Sequence, residues 1–262
     1  MLSTRLFLTA QIAAFWSVWL WYISRMLDGS DEPWGIIALL TVSFLVIKKS
    51  VWAMPTPSAL IIASAIAIIY TLSYGFTPPL IRGGLAVIAI GFSISSICYG
   101  RTIQTGIIGL MLLSLPLVAS LQFYGGFPIR VITAYVSSFL LGLFGYSVQP
   151  QGTLLYWLGE VVAVDAPCAG IKMLWTGLYL NFTLATWREL NFLTTWLSTS
   201  FTLFSVFIGN IFRATVLFFT ESGIIGAPDF THQAIGLIVF AIVATAVFGF
   251  HHLNQERSSC TI

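Results

Sequence analysis

From Gln233 to Phe250 the chain reads "QAIGLIVFAIVATAVFGF", a stretch of helix-crossing length without a single charged side chain. In lipid every backbone N–H and C=O of such a segment must be satisfied from within, which leaves helix as its conformation. Comparable apolar runs cover Leu6 to Ser24, Trp34 to Ile47, Ser58 to Tyr74, Leu80 to Tyr99, Gly106 to Tyr124, Ile171 to Trp187 and Phe192 to Phe212. With 58% of the 262 residues hydrophobic and 8% charged, there is more apolar surface than one water-soluble core could hide. The expected fold is an all-α polytopic membrane protein, a bundle of about eight transmembrane helices in one transmembrane domain. Within 1–262, residues 1–105 are read as N-terminal spans, 106–250 as the spans bearing the chemical motifs, and 251–262 as a cytoplasmic tail.

The second run is short, and Pro33 and Lys48 are expected to extend it, the lysine by snorkelling to the interface. The opening stretch is too long and too aromatic for a signal peptide and is read as the first span. Between the fifth and sixth spans the pattern weakens. Phe127 to Phe144 carries Arg130 and several hydroxyl side chains, as an interfacial or re-entrant helix would. Tyr146 to Asp165 mixes Gly, Pro and Gln with β-branched runs and reads as an extended or hairpin-like segment at the outer surface. The Lys48-Lys49 pair places the loop after the second span, and hence both termini, in the cytoplasm. Arg5, Arg101, Arg188 and Arg257 then fall inside, with Arg25, Arg82, Arg130, Lys172 and Arg213 at the outer side. The basic residues are scattered rather than gathered into a stripe, which argues against a nucleic-acid partner. Cys98, Cys168 and Cys260 have neither the number of a disulfide framework nor the spacing of a zinc site, and Asp165 and Asp229 lack nearby ligand partners, so no metal or other cofactor is expected.

Ionisable groups in or beside membrane spans are costly, so each is a functional candidate. In "VDAPCAGIKMLW" (164–175), Pro167 suits a first helical turn and sets Cys168 at the amino end of the sixth span, where the helix dipole favours a thiolate. Lys172, four residues on, pushes the same way, and Asp165 pushes against it unless it caps the helix or binds a cation. A small buried cysteine with Asp165 as its cap accounts for this pattern equally well. In "GNIFRATVLFF", Asn210 and Arg213 share a helical face near the outer boundary, where an arginine also commonly just snorkels. His232 opens the eighth span, the position of a cap or polar contact as often as of a catalyst. Taken together, Cys168, Arg213 and His232 come from three consecutive spans and reach the outer face at one depth. A thiol, a guanidinium and an imidazole so placed suit acyl transfer from a peptide bond through a thioester.

The segments "APCAGIKML", "NIFR" and "THQAIG", in that order on successive spans, resemble the exosortase/archaeosortase family, whose pattern is Cys-[Ser/Ala/Thr]-Gly, then Asn-x-x-Arg, then a His followed four residues later by Gly. The resemblance covers roughly the second half of the chain; the first four spans agree only in character. It implies a membrane-embedded cysteine protease/transpeptidase in the cytoplasmic membrane, acting on exported proteins that end in a short motif, a transmembrane helix and a basic tail. It further implies Cys168 as nucleophile, Arg213 as transition-state or substrate-positioning cation and His232 as general acid/base, with Asn210, Gly170 and Gly236 in support. Asp165, Lys172 and Arg130 complete the candidate set as supporting or substrate-binding groups. Ala169 stands where serine is usual in the family, and "EPWG" replaces a His-Gly pair near the second span. A transporter whose intramembrane charges line a path, and a non-catalytic assembly factor for envelope or polysaccharide export, are the competing functions.

Overall fold

The computed structural model describes residues 2–29, 34–49, 52–165, 169–226, 228 and 230–259; Pro33, Cys168, Asp229 and Cys260 lie outside them. The chain forms two compact units, residues 1–117 with 181–197, and residues 118–180 with 198–262.

In the first unit, α1 (Leu2–Ala14) and α2 (Trp16–Leu27) meet at a 63° bend. Phe15 leaves the helical ladder there (φ −95°, ψ 27°), and its buried ring packs edge-on against Tyr70 with centroids 4.9 Å apart. The break frees carbonyls, and Trp19 Nε1 donates to one of them, Ile12 O, at 2.8 Å. The next elements are α3 (Trp34–Lys48), α4 (Pro57–Ser73), α5 (Pro79–Tyr99) and α6 (Thr105–Leu113). Thr56 caps α4, its hydroxyl accepting from Ala59 N at 3.4 Å ahead of Pro57 in the first turn. Gly106 and Gly109 let α6 lie against 181–197: a Cβ at Gly109 would sit 2.5 Å from the Phe182 ring.

The count of spans differs from the expectation of about eight. Among the described residues four helices are long and apolar enough to cross a membrane, or five if the bent α1–α2 pair is one span. The difference comes from length. The runs of α3 and α4 end after 15 and 17 residues, short of a full crossing. The run read as a fifth span, Gly106 to Tyr124, is not continuous: α6 stops at Leu113, and Pro116, which cannot donate to a helical ladder, stands in the gap before α7 (Val118–Leu143).

That next helix corrects a second expectation. Residues 127–144 do not form a separate interfacial or re-entrant segment; up to Leu143 they continue α7, whose 26 residues are of crossing length and composition. Pro128 lies within it, and Arg130 Nε donates to the Gly126 carbonyl one turn back at 3.3 Å, so the guanidinium costs the helix less than its charge implies.

The second unit also contains the segment read as hairpin-like, and an all-α description omits it. Strands β1 (Gln149–Gln151), β2 (Leu154–Trp157) and β3 (Glu160–Ala163) form an antiparallel meander in the order β1-β2-β3. Leu158 and Gly159, both at positive φ, make the two-residue turn that pairs Trp157 with Glu160. Leu155 and Val162 are cross-strand partners and both point inward. They join Ala134 and Leu141 of α7 and Leu217 and Phe218 of α9 (Phe192–Glu221) in one buried cluster. The sheet thus braces the last turns of α9. Two more glycines pull the remaining helices together: a Cβ at Gly177 of α8 (Ile171–Trp187) would meet Val206 at 2.9 Å, and one at Gly209 would meet Val243 of α10 (Thr231–Ser259) at 2.8 Å.

Candidate active site

On α9, Asn210, Arg213, Leu217 and Glu221 recur at three- and four-residue intervals, so they form one stripe along the helix. Leu217 is buried in the sheet-backed cluster, which sets the rotation of α9 about its axis. The polar members of the stripe consequently turn toward the beginnings of α8 and α10.

Two of the sequence candidates meet directly. Arg213 Nη2 lies 3.0 Å from His232 Nε2. The other ring nitrogen, His232 Nδ1, lies 3.3 Å from Glu221 Oε1. The imidazole is therefore held on both sides, by a guanidinium and a carboxylate that both come from α9. It is about a third exposed, as is the Glu221 side chain, so the group is open to a substrate. His232 stands at the second position of α10, where the chain has just turned back after α9.

Gly236, one turn further along α10, touches the same guanidinium. A Cβ there would lie 3.4 Å from Arg213 Nε and 3.6 Å from its Cζ. The absence of a side chain lets the planar group lie flat against the helix. Gly170 does the same for Asn210: a Cβ there would come within 2.8 Å of the amide Cγ and Oδ1, and the residue has φ +72°, a region that favours glycine. Asn210 itself is buried, with Nδ2 3.5 Å from Thr133 Oγ1 of α7. Gly170, Asn210, Arg213, Gly236 and His232 are thus brought together, with Glu221 added.

Other expectations change. The regular helix α8 begins at Ile171, with Leu174 N bonded to Gly170 O at 2.8 Å, so Gly170, not Asp165, occupies the capping position; Pro167 lies outside the described residues. Asp165 is exposed just beyond β3. Lys172 is exposed on the first turn of α8, just after Gly170, whose φ is positive. Cys168 lies outside the described residues. Arg130 bonds within α7 rather than to Arg213, His232 or Glu221.

Glu221 is the residue that sequence reasoning missed. A signal was there: it stands eleven residues after Asn210, three helical turns on the same stripe, in a chain with only nine acidic side chains. Ending the seventh run at Phe212 hid it, because Glu221 then fell in the connection to the eighth span.

The fold and this group of residues define a multi-pass helical membrane protein with a guanidinium, an imidazole and a carboxylate joined where α9 ends and α10 begins. A family model described as transmembrane exosortase (Exosortase_EpsH) matches residues 7–249. The chain belongs to the exosortase family. No curated protein and no solved structure matches it.

Proposed function

We propose that the protein is an intramembrane cysteine protease/transpeptidase that cleaves the C-terminal sorting signal of exported proteins at the outer membrane face and passes the new C-terminus to an acceptor. Membership of the exosortase family supports a transpeptidase that acts on exported proteins. The observation that carries the reading of the site is the 3.0 Å approach of Arg213 Nη2 to His232 Nε2. In this reading the two side chains, in contact from two helices, supply the oxyanion donor and the proton-transfer group together.

In this reading Cys168 is the nucleophile. Only Ala169 separates it from Gly170, so chain length alone keeps the two Cα atoms within about 7 Å. Gly170 in turn packs on Asn210, one turn from Arg213. His232 takes the thiol proton, the sulfur attacks the scissile carbonyl, and the tetrahedral oxyanion is met by the Arg213 guanidinium. Before substrate arrives the guanidinium occupies the lone pair of Nε2. The developing oxyanion is the stronger acceptor, so its formation draws Arg213 away and releases Nε2 for the proton. That proton goes to the leaving amine as the C–N bond breaks, leaving a thioester. An acceptor nucleophile then attacks the thioester, gives its proton to His232, and restores the thiol. Gly236 keeps the guanidinium seated, and Asn210 keeps Gly170 against α9. In this reading α5, α7, α9 and α10 are crossings, and an even number of crossings lies between the Lys48-Lys49 loop and α9; with that loop in the cytoplasm, α9 then ends and α10 begins at the outer face, and both termini lie inside.

The test is a co-expressed exported protein carrying a tail of short motif, apolar helix and basic cluster. Wild-type protein should shorten it, and Cys168→Ala should leave the full-length precursor in the membrane while still accumulating normally itself. Undiminished processing by Cys168→Ala would remove the proposal.

A further inference from the structure

The pair of contacts on His232 fixes more than its position. A guanidinium nitrogen can only donate a hydrogen bond, so at 3.0 Å from Arg213 Nη2 the Nε2 atom of His232 is the acceptor. A neutral imidazole with an acceptor at Nε2 carries its hydrogen on Nδ1. That hydrogen points at Glu221 Oε1, 3.3 Å away, and a carboxylate only accepts. Each of the three groups therefore has a single donor or acceptor role consistent with the other two.

We infer that Glu221 is a positioning residue that holds His232 in the Nδ1–H tautomer, so that the Nε2 lone pair faces Arg213 and the incoming thiol proton. The inference rests on the proposed transpeptidase reading for its catalytic meaning, although the tautomer itself does not depend on it. Without Glu221 the free imidazole would favour the Nε2–H form modestly, and that form presents a hydrogen where the base needs a lone pair. When Nε2 has taken the thiol proton, the same carboxylate faces the resulting imidazolium and stabilises it. The carboxylate does not accept the proton; it keeps the ring oriented and the charge partnered.

The local fold supports such a role. Glu221 is the last residue of α9, two residues after Phe219; Phe218 packs on Trp157 of β2 and Phe219 on Tyr146, just before β1, with ring centroids 6.0 and 5.2 Å apart. On the α10 side, Ile235 packs on the same cluster three residues after His232. The carboxylate and the imidazole are thus anchored to one hydrophobic block within a few residues of their contact, and the distance between them is set by the block rather than by two loose termini. This assigns the sheet a part in the chemistry: it sets the spacing of the acid and the base.

The inference is checked on the full-length protein in detergent micelles, with ring-15N-labelled histidine and no substrate. Of the three histidines, His232 is assigned by the signal missing in His232→Ala. In the wild type its nitrogen shifts should report the Nδ1–H tautomer, and Glu221→Gln should abolish that preference; Glu221→Asp, one methylene shorter, should keep part of it. In the processing assay Glu221→Gln should lower kcat about tenfold with KM little changed, since the side chain touches the base and not the substrate. A wild-type His232 already in the Nε2–H form, or a tautomer balance unmoved by Glu221→Gln, overturns the inference. If the tautomer responds as expected while Cys168→Ala processes as fast as wild type, the positioning role stands and the transpeptidase reading falls.

Discussion

Replacing Gly170 by alanine isolates the close approach of Gly170 to Asn210. Two costs are legible. An L-residue at φ +72° is disfavoured by about 1–2 kcal/mol because its Cβ crowds the following carbonyl. The new methyl would also lie 2.8 Å from Cγ and Oδ1 of Asn210, well inside van der Waals contact. Asn210 is only 3% exposed and its amide is engaged by Thr133, so it has little room to yield, and overpacking of this kind costs about 1–3 kcal/mol. The sum is about 2–5 kcal/mol. Gly145→Ala serves as the reference: its φ is +88°, but nothing lies within 4 Å of the added carbon, so only the backbone cost of about 1–2 kcal/mol applies. Both variants and the double variant Gly170→Ala, Asn210→Ala are to be followed by equilibrium unfolding in mixed micelles. Gly170→Ala should lose clearly more stability than Gly145→Ala, and removing the amide should return about 0.5–3 kcal/mol of the excess as a coupling energy. Equal losses for the two glycine variants, with no recovery in the double variant, would refute the claim that Asn210 packs tightly on Gly170.

Two further outcomes follow from the same geometry. Arg213→Lys keeps the charge but loses the planar fork that reaches His232 Nε2 and lies along Gly236; processing should fall by about 100-fold or more, measured as precursor remaining in membrane vesicles, and a loss of only a few-fold would contradict the oxyanion role. Phe218→Ala empties a fully buried position between α9 and the β-meander and should cost about 3–5 kcal/mol in unfolding experiments, whereas Phe139→Ala, at a side chain 66% exposed, should change stability by less than about 0.5 kcal/mol; similar losses at both positions would refute the sheet's bracing role.

Several features were legible from residue order alone because they depend on local physics. Apolar length made α5, α9 and α10 readable as spans, and the bounds expected for the sixth run, Ile171 to Trp187, are those of α8. Gly and β-branched patterning exposed the hairpin character of 146–165. Asn210 with Arg213 was visible because helical spacing puts the two on one face, whereas Gly236 beside His232 entered through the resemblance to the exosortase/archaeosortase pattern. Hydropathy, in contrast, does not measure where a run bends or ends. It joined α6 to the start of α7 across Pro116, gave α3 and α4 the weight of full crossings, and separated 127–144 from the helix to which it belongs.

What the sequence by itself determined is the solvent this chain requires and the helical state of most of its backbone, and it marked Arg213 and His232, though not Glu221, as candidate groups, since each follows from a residue and its near neighbours. Tertiary structure alone decided which groups meet. The Arg213–His232–Glu221 chain joins the end of one helix to the start of the next, and Gly170 reaches Asn210 across forty positions. Such pairings depend on how α9 is rotated, and that rotation is set by Leu217 and Phe218 against strands that lie far earlier in the chain. The packing free energy of that block is a sum over distant residues, and no local window of sequence contains it.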